Sequence, residues 1–343
     1  DGPPSPVALS QEAKNKILQG LQYWADIIHP AQGAQPAVLN IGTNPQPNNA
    51  AALPARVEEE DYPLYGNVGV LAALLGEPKT SLPSTKGAQA SIFYGDANWD
   101  DDVAYMPSQY PVIGSWDIFS TAVHEMAHAL GVLTTISDEE RSGGKHRLQI
   151  GIEDEDSQSP VKPWAFDRYT QLLHDDNGRA AQAGQVIICP WCEYTDDEIA
   201  AGFDIRKDQG YLKGDHIDDA LQGAMPGIPV RMGFYGPSPG DSVYDDNTLS
   251  HLELRNSLMS HQTYSNFAVF MEAELAILQD LGYKIDRRNF FGSSVYGSGL
   301  TLHNTNPYFA RNTAGTDYLD GQYSQTTLGL GLHVYGSQNH ITQ

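Results

Sequence analysis

Apolar residues fall at helical spacing in four stretches of the chain and in short clusters elsewhere. At 8–29, Leu9, Ile17, Leu18, Leu21, Trp24, Ile27 and Ile28 form a stripe behind Ser10. A serine hydroxyl satisfies amides left open in a first helical turn, so this run predicts an amphipathic helix capped by Ser10. At 117–130, Ile118, Ala122, Met126, Ala129 and Leu130 recur three to four apart, behind Asp117 or Ser115 as the cap. A helical pattern near 163–174 carries Trp164, Phe166, Tyr169, Leu172 and Leu173. The last runs from Ser265 through Phe267, Phe270, Met271, Leu275, Leu278 and Leu281 to a glycine stop at Gly282. Strand-like clusters sit at 38–41 and 91–95, and the Pro- and Asn-rich text at 42–54 predicts a loop.

The helix predicted at 117–130 carries the most informative chemistry. It contains His124-Glu125-Met126-Ala127-His128-Ala129-Leu130-Gly131, of the form H-E-x-x-H-x-x-G. Residues four apart share a helix face, so His124 and His128 can offer two imidazole nitrogens to one zinc ion. Glu125 can reach a water on that ion without ligating it, which suits a general base. Gly131 allows a sharp turn after the second ligand, because glycine accepts positive φ. His-Glu pairs also occur on solvated helix faces with no metal. Here Val123 and Leu130 add an apolar surround on which a ligand face would rest, and the metal reading is preferred.

A catalytic zinc takes three protein ligands and leaves one position open. A glutamate on a following helix is one solution, but 137–144 breaks at a glycine pair and has no apolar stripe. A histidine six residues after His128 is another, and that position is Thr134. The third ligand must therefore come from further along. His251 is the best placed: it precedes Leu258-Met259-Ser260 and the last predicted helix. His146, His174, His216 and His261 compete. His146 reads as a solvated turn residue, His174 as a surface residue near a helix end, and His216, flanked by acids, as part of a second ion site.

Two islands, 117–133 and 249–283, resemble the leishmanolysin family of metzincin zinc peptidases. The shared elements are the H-E-M-A-H-A-L-G run, a distant His, Leu-Met-Ser, and Ala-Ile-Leu-Gln-Asp-Leu-Gly-Tyr at 276–283. The resemblance covers roughly 90–285. It implies zinc ligands at His124, His128 and His251, a general base at Glu125, and a methionine turn at Met259 beneath the metal. It also implies an α+β, two-subdomain zincin: an upper subdomain at 1–133, an insertion at 134–248, and the turn with its helix at 249–286. Some metzincins carry a tyrosine just after the methionine that stabilises the oxyanion; His261 or Tyr264 can take that role, or serve as polar turn residues. In metzincins an edge strand near 91–95 pairs with extended substrate. The chain departs from leishmanolysin proper in its long insertion and its lack of many cysteines, which points to a distant, bacterial-type relative.

Its two cysteines, Cys189 and Cys192, stand in Cys-Pro-Trp-Cys. No thioredoxin-like context accompanies them, and one C-x-x-C supplies half of a four-sulfur zinc site. A local disulfide in an exported protein is the expectation, with free thiols as the alternative. Lys+Arg 20 against Asp+Glu 43 gives a formal charge of −23. Such a surface repels phosphate backbones and argues against nucleic-acid partners. No apolar run reaches the ~20 residues needed to span a bilayer. The opening Asp-Gly-Pro-Pro-Ser-Pro is not a signal peptide and reads as a mature or trimmed start. Acidic stretches at 96–102, 215–219 and 241–246 have the oxygen donors of a structural calcium site, although simple solvation explains them as well.

Residues 287–343 turn to Gly, Asn, Thr and Tyr with alternating apolar positions. Val295-Tyr296-Gly297-Ser298 is echoed by Val334-Tyr335-Gly336-Ser337. This resembles the start of a surface-displayed β-solenoid, such as an autotransporter passenger, within a longer polypeptide; a plain β-rich appendage is the competing reading. The expected activity is a secreted or surface zinc endopeptidase cleaving proteins or peptides. Two other readings stay open: an adhesin with a structural or relic zinc site, and a metallohydrolase acting on something other than peptides.

Overall fold

The computed structural model describes residues 8–34, 36–43, 50–58, 65–76, 88–95, 99–100, 116–142, 145–153, 164–190, 192–206, 210–221, 223, 225–230, 234–235, 243–244, 248–252, 257–259, 272–285 and 287. The repeat-like segment beyond Arg287, together with His261, Tyr264 and Ser265, lies outside them. So do Ser115 and most of the acidic stretches 96–102 and 241–246.

Helix α1 (Gln11–Ala25) starts where the pattern places it, with Ser10 Oγ accepting from Ala13 N at 2.9 Å. Its buried side, Ala13, Ile17, Gly20, Tyr23 and Trp24, lies against the central helix. Strands β1 (Leu39–Thr43) and β2 (Ala50–Pro54) are followed by the antiparallel pair β3 (Arg56–Glu58) and β4 (Tyr65–Val68). Then come α2 (Gly69–Leu75), β5 (Ala90–Tyr94), and the short parallel strands β6 (Trp99–Asp100) and β7 (Trp116–Asp117). In the main sheet β5 runs parallel to β1 and antiparallel to β2.

Two expectations are corrected here. The 42–54 stretch is not all loop, because β2 occupies its end; pairing with β5 overrides the weak strand propensity of three alanines. The strand at 91–95 is not an edge strand either. Both of its sides are taken, by β1 and β2, so its backbone cannot receive a substrate.

Helix α3 (Ile118–Ala129) runs through the middle of the molecule, with all of its residues buried. Asp117 caps it, Oδ2 accepting from Ser120 N at 2.8 Å. Gly131 follows with φ +107°, and a Cβ there would stand 3.2 Å from Val68 Cγ1. Both the turn and the close approach of β4 require glycine. On the other side, a Cβ on Gly20 would meet the Ala122 Cβ at 3.0 Å, which is why α1 comes so close. Trp24 Nε1 donates to the Val123 carbonyl at 2.8 Å across that contact.

After α3, β8 (Ile136–Arg141) and β9 (Lys145–Ile150) form an antiparallel hairpin. The helix expected near 163–174 is a single turn, α4 (Arg168–Gln171). Trp164–Ala165 and Leu173–His174 on either side are strand residues with their own partners. Asp167 caps the turn through Oδ1 to Thr170 N at 2.8 Å, so the helix cannot begin earlier. Leu173–His174, Gly210–Leu212 and Ile228–Val230 make a second three-stranded sheet. Helices α5 (Asp196–Ala201), α6 (Asp215–Leu221) and α7 (Glu272–Leu281) complete the described elements. Leu148, Tyr169 and Phe203, from the stretch between α3 and α7, share one continuous core with α1, α3 and α7. The class is α+β with small sheets. Among the described residues no helix is long and apolar enough to cross a membrane.

Candidate metal centre

Because α3 turns once every 3.6 residues, His124 and His128 leave it on one side, and both are buried. Each ring is oriented from behind. His124 Nδ1 donates to the Leu258 carbonyl at 2.8 Å, and His128 Nδ1 to the Val132 carbonyl at 2.6 Å. A carbonyl only accepts, so both rings carry hydrogen on Nδ1 and leave Nε2 as a lone pair. Those Nε2 atoms face each other at 3.1 Å. The half-buried His251 brings its own Nε2 to 3.2 Å from that of His124. The three ring centroids stand 4.7, 4.9 and 5.1 Å apart.

Facing lone pairs repel unless a cation lies between them. Nitrogens about 2.0–2.1 Å from a tetrahedral zinc would lie about 3.3 Å from one another, close to the spacing observed. The donor set therefore fits a divalent transition-metal ion of the kind imidazole binds, zinc among them. Among the described residues, this is the only group of three or more His, Cys, Asp or Glu side chains arranged to hold one ion.

His251 reaches the centre from far down the chain, and its neighbours are tied on both sides. Tyr169 of α4 donates its hydroxyl to Leu249 O at 2.9 Å. Thr134 N donates to Ser250 Oγ at 2.9 Å, and the two hydroxyls lie 3.0 Å apart. Leu252 N donates to Met259 O at 2.8 Å, closing the loop that holds the turn. Met259 itself is buried, and its amide donates to Ser257 Oγ at 2.9 Å and to Glu274 Oε1 at 3.0 Å. Ser257 Oγ also donates to Glu274, so a buried carboxylate of α7 grips the turn whose Leu258 carbonyl orients His124.

Glu125 follows the first histidine and is 4% exposed, and its Oε2 has no hydrogen-bond partner among the described residues. Burial pushes its carboxyl up to about 8. A cation among the histidines opposes that shift, since nearby positive charge favours the carboxylate. Tyr94, at the end of β5, is fully buried, and its hydroxyl too has no hydrogen-bond partner among the described residues. Its pKa is raised first by burial and then by the charge of Glu125, which places the two within electrostatic reach.

Of the competing histidines, His146, His174 and His216 do not join the cluster. His146 belongs to β9, with Nδ1 2.9 Å from Asp138 Oδ2, and is not a solvated turn residue. The β8–β9 pairing lifts it out of the Gly-Gly turn that the sequence suggests. His174 lies in a strand, with Nδ1 2.9 Å from Leu172 O. His216 is in the first turn of α6, its amide held by Asp280 Oδ1 at 3.0 Å. His261 and Tyr264 lie outside the described residues. Among the described residues, the acids at 215–219 are not gathered into a group that could hold one ion; they belong to α6, and Asp219 pairs with Arg287. Cys189 and Cys192 are joined in a disulfide beside β9, where Glu193 N donates to His146 O at 2.7 Å.

Trp24, Thr134, Ser250, Ser257 and Glu274 support the site without having been singled out for it from the sequence. Only Glu274 left a signal. It shares a helix face with the apolar Leu278 and Leu281, where an unpaired carboxylate would be costly. Compared with known protein families, with curated proteins and with solved structures, the chain has no match.

Proposed function

We propose that the protein is a zinc-dependent endopeptidase of the leishmanolysin-like metzincin kind, cleaving proteins or peptides in a secreted or surface-displayed setting. The observation that carries this reading is the meeting of three Nε2 atoms, from His124, His128 and His251, next in sequence to a buried glutamate that stands outside their cluster. Zinc held by three imidazoles supplies Lewis acidity, which acidifies water and polarises a carbonyl.

The chain's residues supply the rest. The Leu258 and Val132 carbonyls fix the tautomers of His124 and His128, so neither ring must reorganise to offer its lone pair. Burial raises the Glu125 carboxyl, and a cation among the histidines would oppose that shift and keep it ionised, as a group that takes a proton from the attacking water and returns it to the leaving amine must be. β2 lies outermost in the main sheet among the described strands and packs on α3, so its outer edge can align an extended peptide.

The test is zinc analysis of the purified chain together with casein digestion, with and without phenanthroline. About one zinc per chain and chelator-sensitive digestion are expected. Glu125→Ala should keep the zinc and lose the digestion, and activity retained in that variant would reject Glu125 as the base. A wild-type chain that takes up no zinc would reject the reading as a whole.

A further inference from the structure

We infer that Thr134 is a positioning residue for the distant ligand, acting through Ser250 to hold His251 at a fixed place relative to His128. This rests on the metal-centre reading above. Thr134 stands where a closely spaced third histidine would ligate the metal directly. It does not ligate; it clasps the segment that brings the third histidine in.

The path is short and buried. The His128 ring is bonded to the Val132 carbonyl at 2.6 Å, which locks the tail of α3 to the ligand. Two residues on, both polar groups of Thr134 meet one atom: its amide donates to Ser250 Oγ at 2.9 Å, and its hydroxyl lies 3.0 Å from the same oxygen. Thr134 is 7% exposed and Ser250 fully buried. His251 is the next residue. One short stretch, 128–134, therefore presents one ligand and grips the neighbour of another. Without such a clasp, bringing a ligand back across residues 129–250 would carry the ordering cost of a long loop at the centre itself.

A buried hydroxyl pair can also be mere packing, and the two roles separate in metal binding. In the metal-free protein, a packing role lowers the melting temperature and leaves zinc affinity alone. A positioning role weakens zinc and changes the geometry around it. The experiment uses the full chain, stripped of metal and titrated with zinc against a chromophoric chelator, then with cobalt(II) to read the ligand field. Thr134→Val keeps the size and the amide bond but loses the hydroxyl, and Thr134→Ser keeps the hydroxyl. Thr134→Val should weaken zinc binding by about 10-fold, the low end of the range for groups bonded directly to a metal ligand, because Thr134 acts one bond further out. Its cobalt spectrum should move toward that of His251→Ala, and Thr134→Ser should restore both.

Should Thr134→Val fail to fold, Ser250→Ala gives the same readouts. Wild-type zinc affinity and an unaltered cobalt spectrum in the folded variant would overturn the clasp, even if its melting temperature falls. If instead His251→Ala binds zinc like the wild type, the metal-centre reading fails and the clasp falls with it. That outcome is distinct, because it appears in the ligand variant and not in the Thr134 and Ser250 variants alone.

Discussion

His124 and His128 are placed by one turn of one helix, whereas His251 is placed by hydrogen bonds gathered from four separate parts of the chain. The first pair would be near each other in any well-formed α3, whatever surrounds it. The third depends on α4 through Tyr169, on the end of α3 through Thr134, on Ile228–Val230 through a β-bridge to Leu252, and on the Met259 turn. Candidate ligands close in sequence are thus secured by secondary structure. Distant ones are secured by tertiary bonds, each of which is a point of failure.

This contrast orders the expected effects. Replacing His124 or His128 by Ala should abolish stoichiometric zinc, measured by metal analysis, since each removes a ligand from the preformed pair. His251→Ala should weaken zinc severely yet leave a residual site on α3; zinc retained at full affinity would hand the third role to another residue. Glu125→Gln should leave zinc in place and reduce the peptidase rate by about 10²–10⁴-fold, the contribution of a placed general base. Glu274→Ala leaves the Met259 amide buried without its carboxylate, and should cost about 1–3 kcal/mol in denaturant unfolding. Trp24→Phe removes one buried hydrogen bond behind α3 and should cost about 1 kcal/mol, with zinc affinity close to wild type.

Acid–base behaviour adds a further check on the α3 side. Burial pushes the Asp117 carboxyl up from its ordinary range to about 7, against the hydrogen bonds from Ser120 that lower it. The folded chain therefore holds this proton longer than the unfolded chain does. Stability from that difference is fully present below about pH 4 and lost as pH rises through 7. Asp117→Asn keeps a capping oxygen and cannot titrate, so its melting temperature should fall less than that of the wild type over this window. An identical slope in both proteins would show that Asp117 ionises in the folded state as it does in the unfolded chain.

How far the sequence could be read follows the same contrast. The α1 stripe, the Ser10 and Asp117 caps, Gly131 and the H-E-x-x-H helix are local signals, and each is legible because 3.6-residue periodicity and capping chemistry act within a turn or two. His251 was legible only as the histidine ahead of a Met turn, not through any spacing to His128. The supporting groups were hidden. Thr134 and Ser250 are ordinary polar residues until the fold brings them together. The family resemblance implies an edge strand at 91–95, and nothing local in the sequence reports that β1 and β2 flank it on both sides. The apolar run at 163–174 satisfied helical spacing, but Asp167 and the strand partners on either side reduced it to one turn.

The most direct test is crystallographic: grow the chain with zinc and locate the metal by anomalous scattering at the zinc edge. One peak should lie about 2.0–2.1 Å from Nε2 of His124, His128 and His251, with solvent at the remaining position. A peak without His251, or one closed by a fourth side chain, would contradict the enzymatic reading.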